Sequence, residues 1–276
     1  MAIAFVSQSS NGGAGVTSVI VTAPASIVDN NYLILVVNRR NGGGTITPPA
    51  GFTLVASASR SLILTEMYYK KCASESGDYT VSVSAAANMN AGIVQYSGID
   101  GTSPLDGTAT TNNGNSTALV GTGLTAASAG SLLVFGLGFA SGVSLNAAAG
   151  MTRRINQADG GSFDSAVGSN EELLVSSGAT GDRTVTMGFN DDFVGIMAVF
   201  KASSAATLEQ EGFRFRNDDG SETTATWRQT QDTDDSADEN EAVRLRIIIN
   251  GTGDPSAGQY KLQYREVGND TWLDVQ

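Results

Sequence analysis

Tyr32-Leu33-Ile34-Leu35-Val36-Val37 runs without a charge or turn residue, and Ser131-Leu132-Leu133-Val134-Phe135-Gly136 has the same character. Short apolar runs of this kind suit strands covered on both faces. They belong to a series. Leu132 follows Leu33 by 99 residues, and Ala149-Gly150-Met151-Thr152 follows Ala50-Gly51-Phe52-Thr53 by 99. Gly181-Asp182-Arg183-Thr184-Val185 follows Gly77-Asp78-Tyr79-Thr80-Val81 by 104, and Val194-Gly195-Ile196-Met197 follows Ala91-Gly92-Ile93-Val94 by 103. Upstream, Val19-Ile20-Val21 and Ala118-Leu119-Val120 match more weakly at the offset of 99. Matches in one order at nearly constant spacing indicate an internal duplication.

Each copy reads as strands. Thr80-Val81-Ser82-Val83-Ser84 and Thr184-Val185-Thr186-Met187 alternate with period two, as strands with one buried and one wet face do. The Gly-Asp pairs before Tyr79 and Arg183, and Pro48-Pro49-Ala50-Gly51, carry turn chemistry: Gly for positive φ, Asp for a bond to its own backbone. No segment shows a helical stripe with caps. The fold expected is therefore all-β. One copy of about five strands would leave an apolar sheet face exposed. Two copies packed face to face bury it, as an internally duplicated, jelly-roll-like β-sandwich over residues 1–201, with halves of about 1–100 and 101–201. The competing arrangement is two small sandwiches side by side.

Residues 202–208 are small and polar and read as a linker. In 209–276 the composition shifts to Arg, Glu, Gln and Asp. Gly212-Phe213-Arg214-Phe215-Arg216, Thr224-Ala225-Thr226-Trp227, Val243-Arg244-Leu245-Arg246-Ile247 and Tyr260-Lys261-Leu262-Gln263-Tyr264-Arg265 alternate, and Gly268-Asn269-Asp270 leads to Thr271-Trp272-Leu273. These five strands predict a small Ig-like β module, with Trp227 and Trp272 packed in its core. The stretch from Gln259 to Val275 resembles the strand-turn-strand signature of fibronectin type III domains. Such domains have seven strands, so the module is incomplete alone. Its open edges invite pairing with a neighbouring subunit.

The net charge of −12 repels phosphate and anionic lipid, which argues against nucleic-acid and membrane binding. The N-terminus lacks the basic start and apolar core of a secretory signal, and assembly in a cytoplasm is expected. The chain has no histidine, which removes His-based triads, His-ligated zinc and imidazole acid-base chemistry. Cys72, the only cysteine, reads as a small buried strand residue. Glu66 and Glu171 fall in strands, and nothing marks them as a matched pair of the kind that hydrolyses glycosides. The acidic run in residues 232–241 lacks the Gly and Glu that an EF-hand loop places at fixed positions; it reads as a solvated loop, with calcium as the other reading. Gly121-Thr122-Gly123-Leu124-Thr125-Ala126 fits a loose dinucleotide pattern but no helix follows it. Asn115 and Asn250 open glycosylation sequons. The expectation is no enzyme, no cofactor, no metal and no catalytic site.

Several segments of the first domain resemble the β-sandwich structural proteins of tailed-phage virions. They are Asn31-Tyr32-Leu33-Ile34-Leu35-Val36, Pro48-Pro49-Ala50-Gly51-Phe52-Thr53-Leu54-Val55, Met67-Tyr68-Tyr69-Lys70 and Ile93-Val94-Gln95-Tyr96-Ser97-Gly98-Ile99-Asp100. Glu211-Gly212-Phe213-Arg214-Phe215-Arg216-Asn217-Asp218-Asp219-Gly220 is similar to phage structural modules. The resemblance implies a virion component: a capsid decoration or head-fibre protein bound to the major capsid protein. The alternative is a tail-fibre, tail-tip or adhesin-like module that binds host-surface glycan. A homo-oligomer, a trimer by analogy, is expected in either case.

Overall fold

The computed structural model describes residues 2–42, 44–142, 145–159, 165–204, 207–221, 223–238, 241–252, 263–264, 271 and 273–274. Every regular element among them is a β-strand. The chain divides into two compact units, Met1–Ser203 and Ser204–Gln276.

The first unit opens with β1 (Ala4–Val21), β2 (Tyr32–Arg40), β3 (Ile46–Thr47), β4 (Thr53–Arg60), β5 (Ile63–Lys71) and β6 (Tyr79–Ser97). It continues with β7 (Thr110–Gly121), β8 (Thr125–Ala126), β9 (Leu132–Phe139), β10 (Thr152–Ala158), β11 (Ala166–Leu173), β12 (Gly178–Ala179) and β13 (Arg183–Phe200). One antiparallel sheet runs β1-β6-β2-β5-β4, with β3 added to β6. The other runs β7-β13-β9-β11-β10, the same order, with β8 and β12 paired apart from it. The chain does not weave between the sheets as in a jelly roll. Each sheet is drawn whole from one half, because strands close in sequence, such as β4 and β5, pair with each other.

The two sheets pack face to face. Ile34, Val36, Met67 and Val94 of one meet Val134, Val167, Ile196 and Phe200 of the other in a shared core. Each sheet also buries its outer face. Leu33, Leu35 and Val37 lie under Val19, Val81 and Ile46, while Leu133, Phe135 and Leu137 lie with Leu119 and Val185. The far ends of β1 and β6, and of β7 and β13, fold over to supply that cover. This explains why the runs of β2 and β9 are apolar throughout. Each such buried side chain contributes roughly 1.5–3 kcal/mol. The arrangement expected as a single sandwich thus holds three apolar layers, one shared and one private to each half.

Pairing corrects the offset read from the sequence. Tyr32 pairs with Lys71 and Tyr96, as Leu132 does with Leu173 and Phe200, so Leu132 takes the place of Tyr32 and not of Leu33. By the same test Val21 corresponds to Gly121, and Ile196 to Gly92. The turn match stands at 99. Phe52 N–H donates to Pro49 O and Met151 N–H to Ala148 O, with Gly51 at φ 84° and Gly150 at φ 79° as the residue before the bond closes. That left-handed backbone suits glycine. Both sheets also carry a bulge at one place, Leu54/Ala56 in β4 and Arg153/Ile155 in β10.

Ala202 bridges Ile99 and Ser203 N–H donates to Gly98 O, so the first residues of the expected linker belong to the first unit. The second unit contains β14 (Thr207–Asn217) paired with β15 (Val243–Thr252), and β16 (Gln263–Tyr264) paired with β17 (Leu273–Asp274). The strand expected at residues 224–227 does not form; it leaves a single bridge, Trp227 to Arg216. Four residues of alternation are too few to outweigh the turns beside them. Tyr260, Leu262 and Trp272 lie outside the described residues.

Candidate functional site

The polar groups of the first unit hold strands together. Lys70 Nζ sits 2.8 Å from Glu75 Oε2, to which Tyr79 Oη also donates at 2.9 Å. The Lys70 ammonium stands 5.9 Å from the ring centroids of both Phe52 and Tyr79, which contact each other edge to face. Burial alone would raise the Glu75 carboxyl, but the bonds from Lys70 and Tyr79 outweigh it and hold its pKa below the ordinary 4.5. Cys72 is buried just past β5. Burial, then the charge of Glu75, pushes its thiol up to about 11, which suppresses the nucleophilic thiolate.

Glu66 and Glu171 are not brought together. Glu66 takes hydrogen bonds from Ser57 and Tyr68 on the outer side of the first sheet. Glu171 lies in the second sheet, facing the first, where Arg154 Nε donates to it at 2.6 Å and the buried Tyr96 hydroxyl lies beside it. Burial, then that carboxylate, raises Tyr96 well above the ordinary phenol value. Arg154 stacks 3.8 Å above the Phe5 ring. This group borders a shallow cleft of about 300 Å³.

Two aspartates act otherwise than the turn pattern predicts. Asp78 and Asp182 do not bond their own turns. Each reaches across to the chain leaving β1 or β7: Ala23 N–H donates to Asp78 Oδ1 at 3.0 Å and Gly123 N–H to Asp182 Oδ1 at 2.8 Å. Two asparagines gave no sequence signal. Asn11 Nδ2 donates to Ile20 O at 2.8 Å and Asn112 Nδ2 to Val120 O at 3.1 Å, tying the bends of β1 and β7.

In the second unit, β14 and β15 form a two-sided ribbon. Phe213 pairs with Ile247, Phe215 with Leu245 and Asn217 with Val243, so these apolar side chains share one face with Ile249. Leu245 is 41 % and Ile249 55 % exposed. The opposite face sets Arg214 against Arg246 and Arg216 against Arg244. Like charges directly across a ladder repel, and most of these guanidiniums have local counterparts. Arg244 pairs with Asp218, Arg214 Nε donates to Gln229 O, and Arg216 donates to Ala225 O. Trp227, expected in a core, is 38 % exposed and lies 4.2 Å and 4.4 Å from the guanidiniums of Arg214 and Arg216. The stack stabilises by cation–π attraction.

Asp235 and Glu241 bind Arg228, whose hydrogen bonds hold both carboxyls below the usual range, and Phe213 N–H donates to Asp232. No cluster of three or more metal-ligating side chains occurs among the described residues. Asn115 and Asn250 lie within β7 and β15. The surface best suited to a partner is the apolar face of the ribbon. No protein-family description, curated protein or solved structure matches this chain.

Proposed function

We propose that the chain is a virion structural protein, a capsid decoration or head-fibre protein that binds the exterior of a phage capsid after assembly in the host cytoplasm. Its sandwich supplies bulk and its second unit docks, either on the major capsid protein or between copies in a homo-oligomer such as a trimer. The observation that carries this reading is the apolar face shared by half-buried Phe213 and Phe215 with exposed Leu245 and Ile249, on a ribbon whose other face sets Arg214 and Arg216 against Arg246 and Arg244. Exposed apolar strand surface of this kind favours docking or strand addition. The clasps of Asp78 and Asp182 and the amides of Asn38 and Asn90, which tie strands and sheets together, support a scaffold role.

Quantitative mass spectrometry of purified particles tests the reading: hundreds of copies support decoration, a few to a few dozen refute it. A Leu245→Asp/Ile249→Asp variant should lose incorporation while the circular dichroism of the first unit is retained. The tail-fibre or adhesin reading draws on Trp227, since a half-exposed indole is a platform for a sugar ring. Glycan-array binding abolished by Trp227→Ala would favour it.

A further inference from the structure

The face between the two sheets sets corresponding positions against each other. β1 faces β10 as β7 faces β4, and β2 faces β9, the pattern of a two-fold contact within one chain. At its centre Val36 meets Gly136 and Asn38 meets Gly138, each residue against its own counterpart. In both places one partner is large and the other has no side chain. A Cβ on Gly136 would stand 3.1 Å from both Cγ atoms of Val36 and 2.8 Å from Met67 Cε. A Cβ on Gly138 would stand 2.0 Å from Thr65 Oγ1 and 2.5 Å from Asn38 Oδ1.

Away from the centre the inequality continues. Gly92 receives Ile155, whose Cγ2 would lie 2.5 Å from a Cβ placed there. Their counterparts are Ile196 and Ala56, so there the bulk has changed sides. At one end Arg154, Glu171, Tyr96 and Phe5 form the stacked ion-pair group. The counterpart positions hold Val55, Tyr69, Phe200 and Leu105, without a charge.

We propose that this face is selective for the unlike half. The first half accepts the second half, from its own chain or from another copy, and rejects a second first half. Two first halves would set Val36 on Val36 and Asn38 on Asn38. Two second halves would leave Gly136 and Gly138 facing each other across a void. Overpacking and cavities both destabilise. Any exchange of halves between copies is therefore between unlike halves, and like-to-like association runs through other surfaces.

The full chain tests this in a Cys72→Ala background. Val36→Cys, Gly136→Cys and the two together are refolded under oxidising conditions, and the folded fraction is run on a non-reducing gel. The double variant should form a bridge between positions 36 and 136, and neither single variant should give a linked dimer. A linked dimer of folded protein from either single variant overturns the proposal. If Gly136→Cys does not fold, urea unfolding of Val36→Ala, Gly136→Ala and the two together decides. Recovery of the midpoint in the double variant supports complementarity of unlike halves, and losses that simply add overturn it.

Discussion

Asn38 shows how much one buried amide can organise. Its Nδ2 donates to Phe139 O at 3.1 Å and Ala166 O at 2.9 Å, and its Oδ1 accepts from Thr65 at 3.1 Å. The first sheet thus satisfies carbonyls of the second, and Asn90 does the same for Ser165 O at 3.0 Å. Gly138→Ala would force a methyl into this network and should cost about 3 kcal/mol, read as a lowered urea midpoint with an unchanged slope. Acid should act through other residues. Glu75 is held low as described, Asp192 is held below 3.8 by Asn115 and Arg60 against its burial, and Asp100 chiefly by Ser103 N–H. A depressed carboxyl stabilises the fold above its unfolded pKa, and that stability is lost as pH falls through the native value. The midpoint should therefore be flat from about pH 7 to 5 and fall below about pH 4. Glu75→Gln should flatten part of that fall.

At the scale of the element, the strands were legible and their phase was not. Alternation at Thr80 to Ser84 sets which side chains of β6 enter the core, and the burial pattern of that strand agrees. The runs of β2 and β9 are buried on both faces, so a slide by one residue leaves the pattern unchanged although it exchanges every side chain between layers. An offset of 99 therefore fits the sequence there as well as the offset of 100 that the pairing requires. The candidate surface was half legible: the alternation of Phe213 and Phe215 was visible, but the stack on Trp227 depends on a pairing no local pattern reveals. The Asp78 and Asp182 clasps join separate strands and were invisible for the same reason. Asp78→Ala and Asp182→Ala should each cost about 1 kcal/mol by stranding a backbone N–H, with protection of Ala23 or Gly123 against hydrogen exchange lost first.

For the first unit as a whole, the shared core makes the halves interdependent. Neither sheet can leave the other without exposing Ile34, Val36, Val134 and Ile196 to water and stranding the carbonyls held by Asn38 and Asn90. Unfolding should therefore occur in one transition for residues 2–203, with near-ultraviolet signal from Tyr32 and Tyr96 and far-ultraviolet signal from both sheets lost together in urea. Two separated transitions within this unit would mean that the private cores suffice. The glycines at 136 and 138 carry a last consequence, one for sequence history. A side chain gained at either position is tolerated only after the residues opposite it, Val36 and Met67 or Asn38 and Thr65, have given way. Substitutions at 136 should therefore arrive with compensating ones at 36 or 67, and those at 138 with ones at 38 or 65, and descendants of this chain should show these columns drifting in concert while their summed volume stays constant.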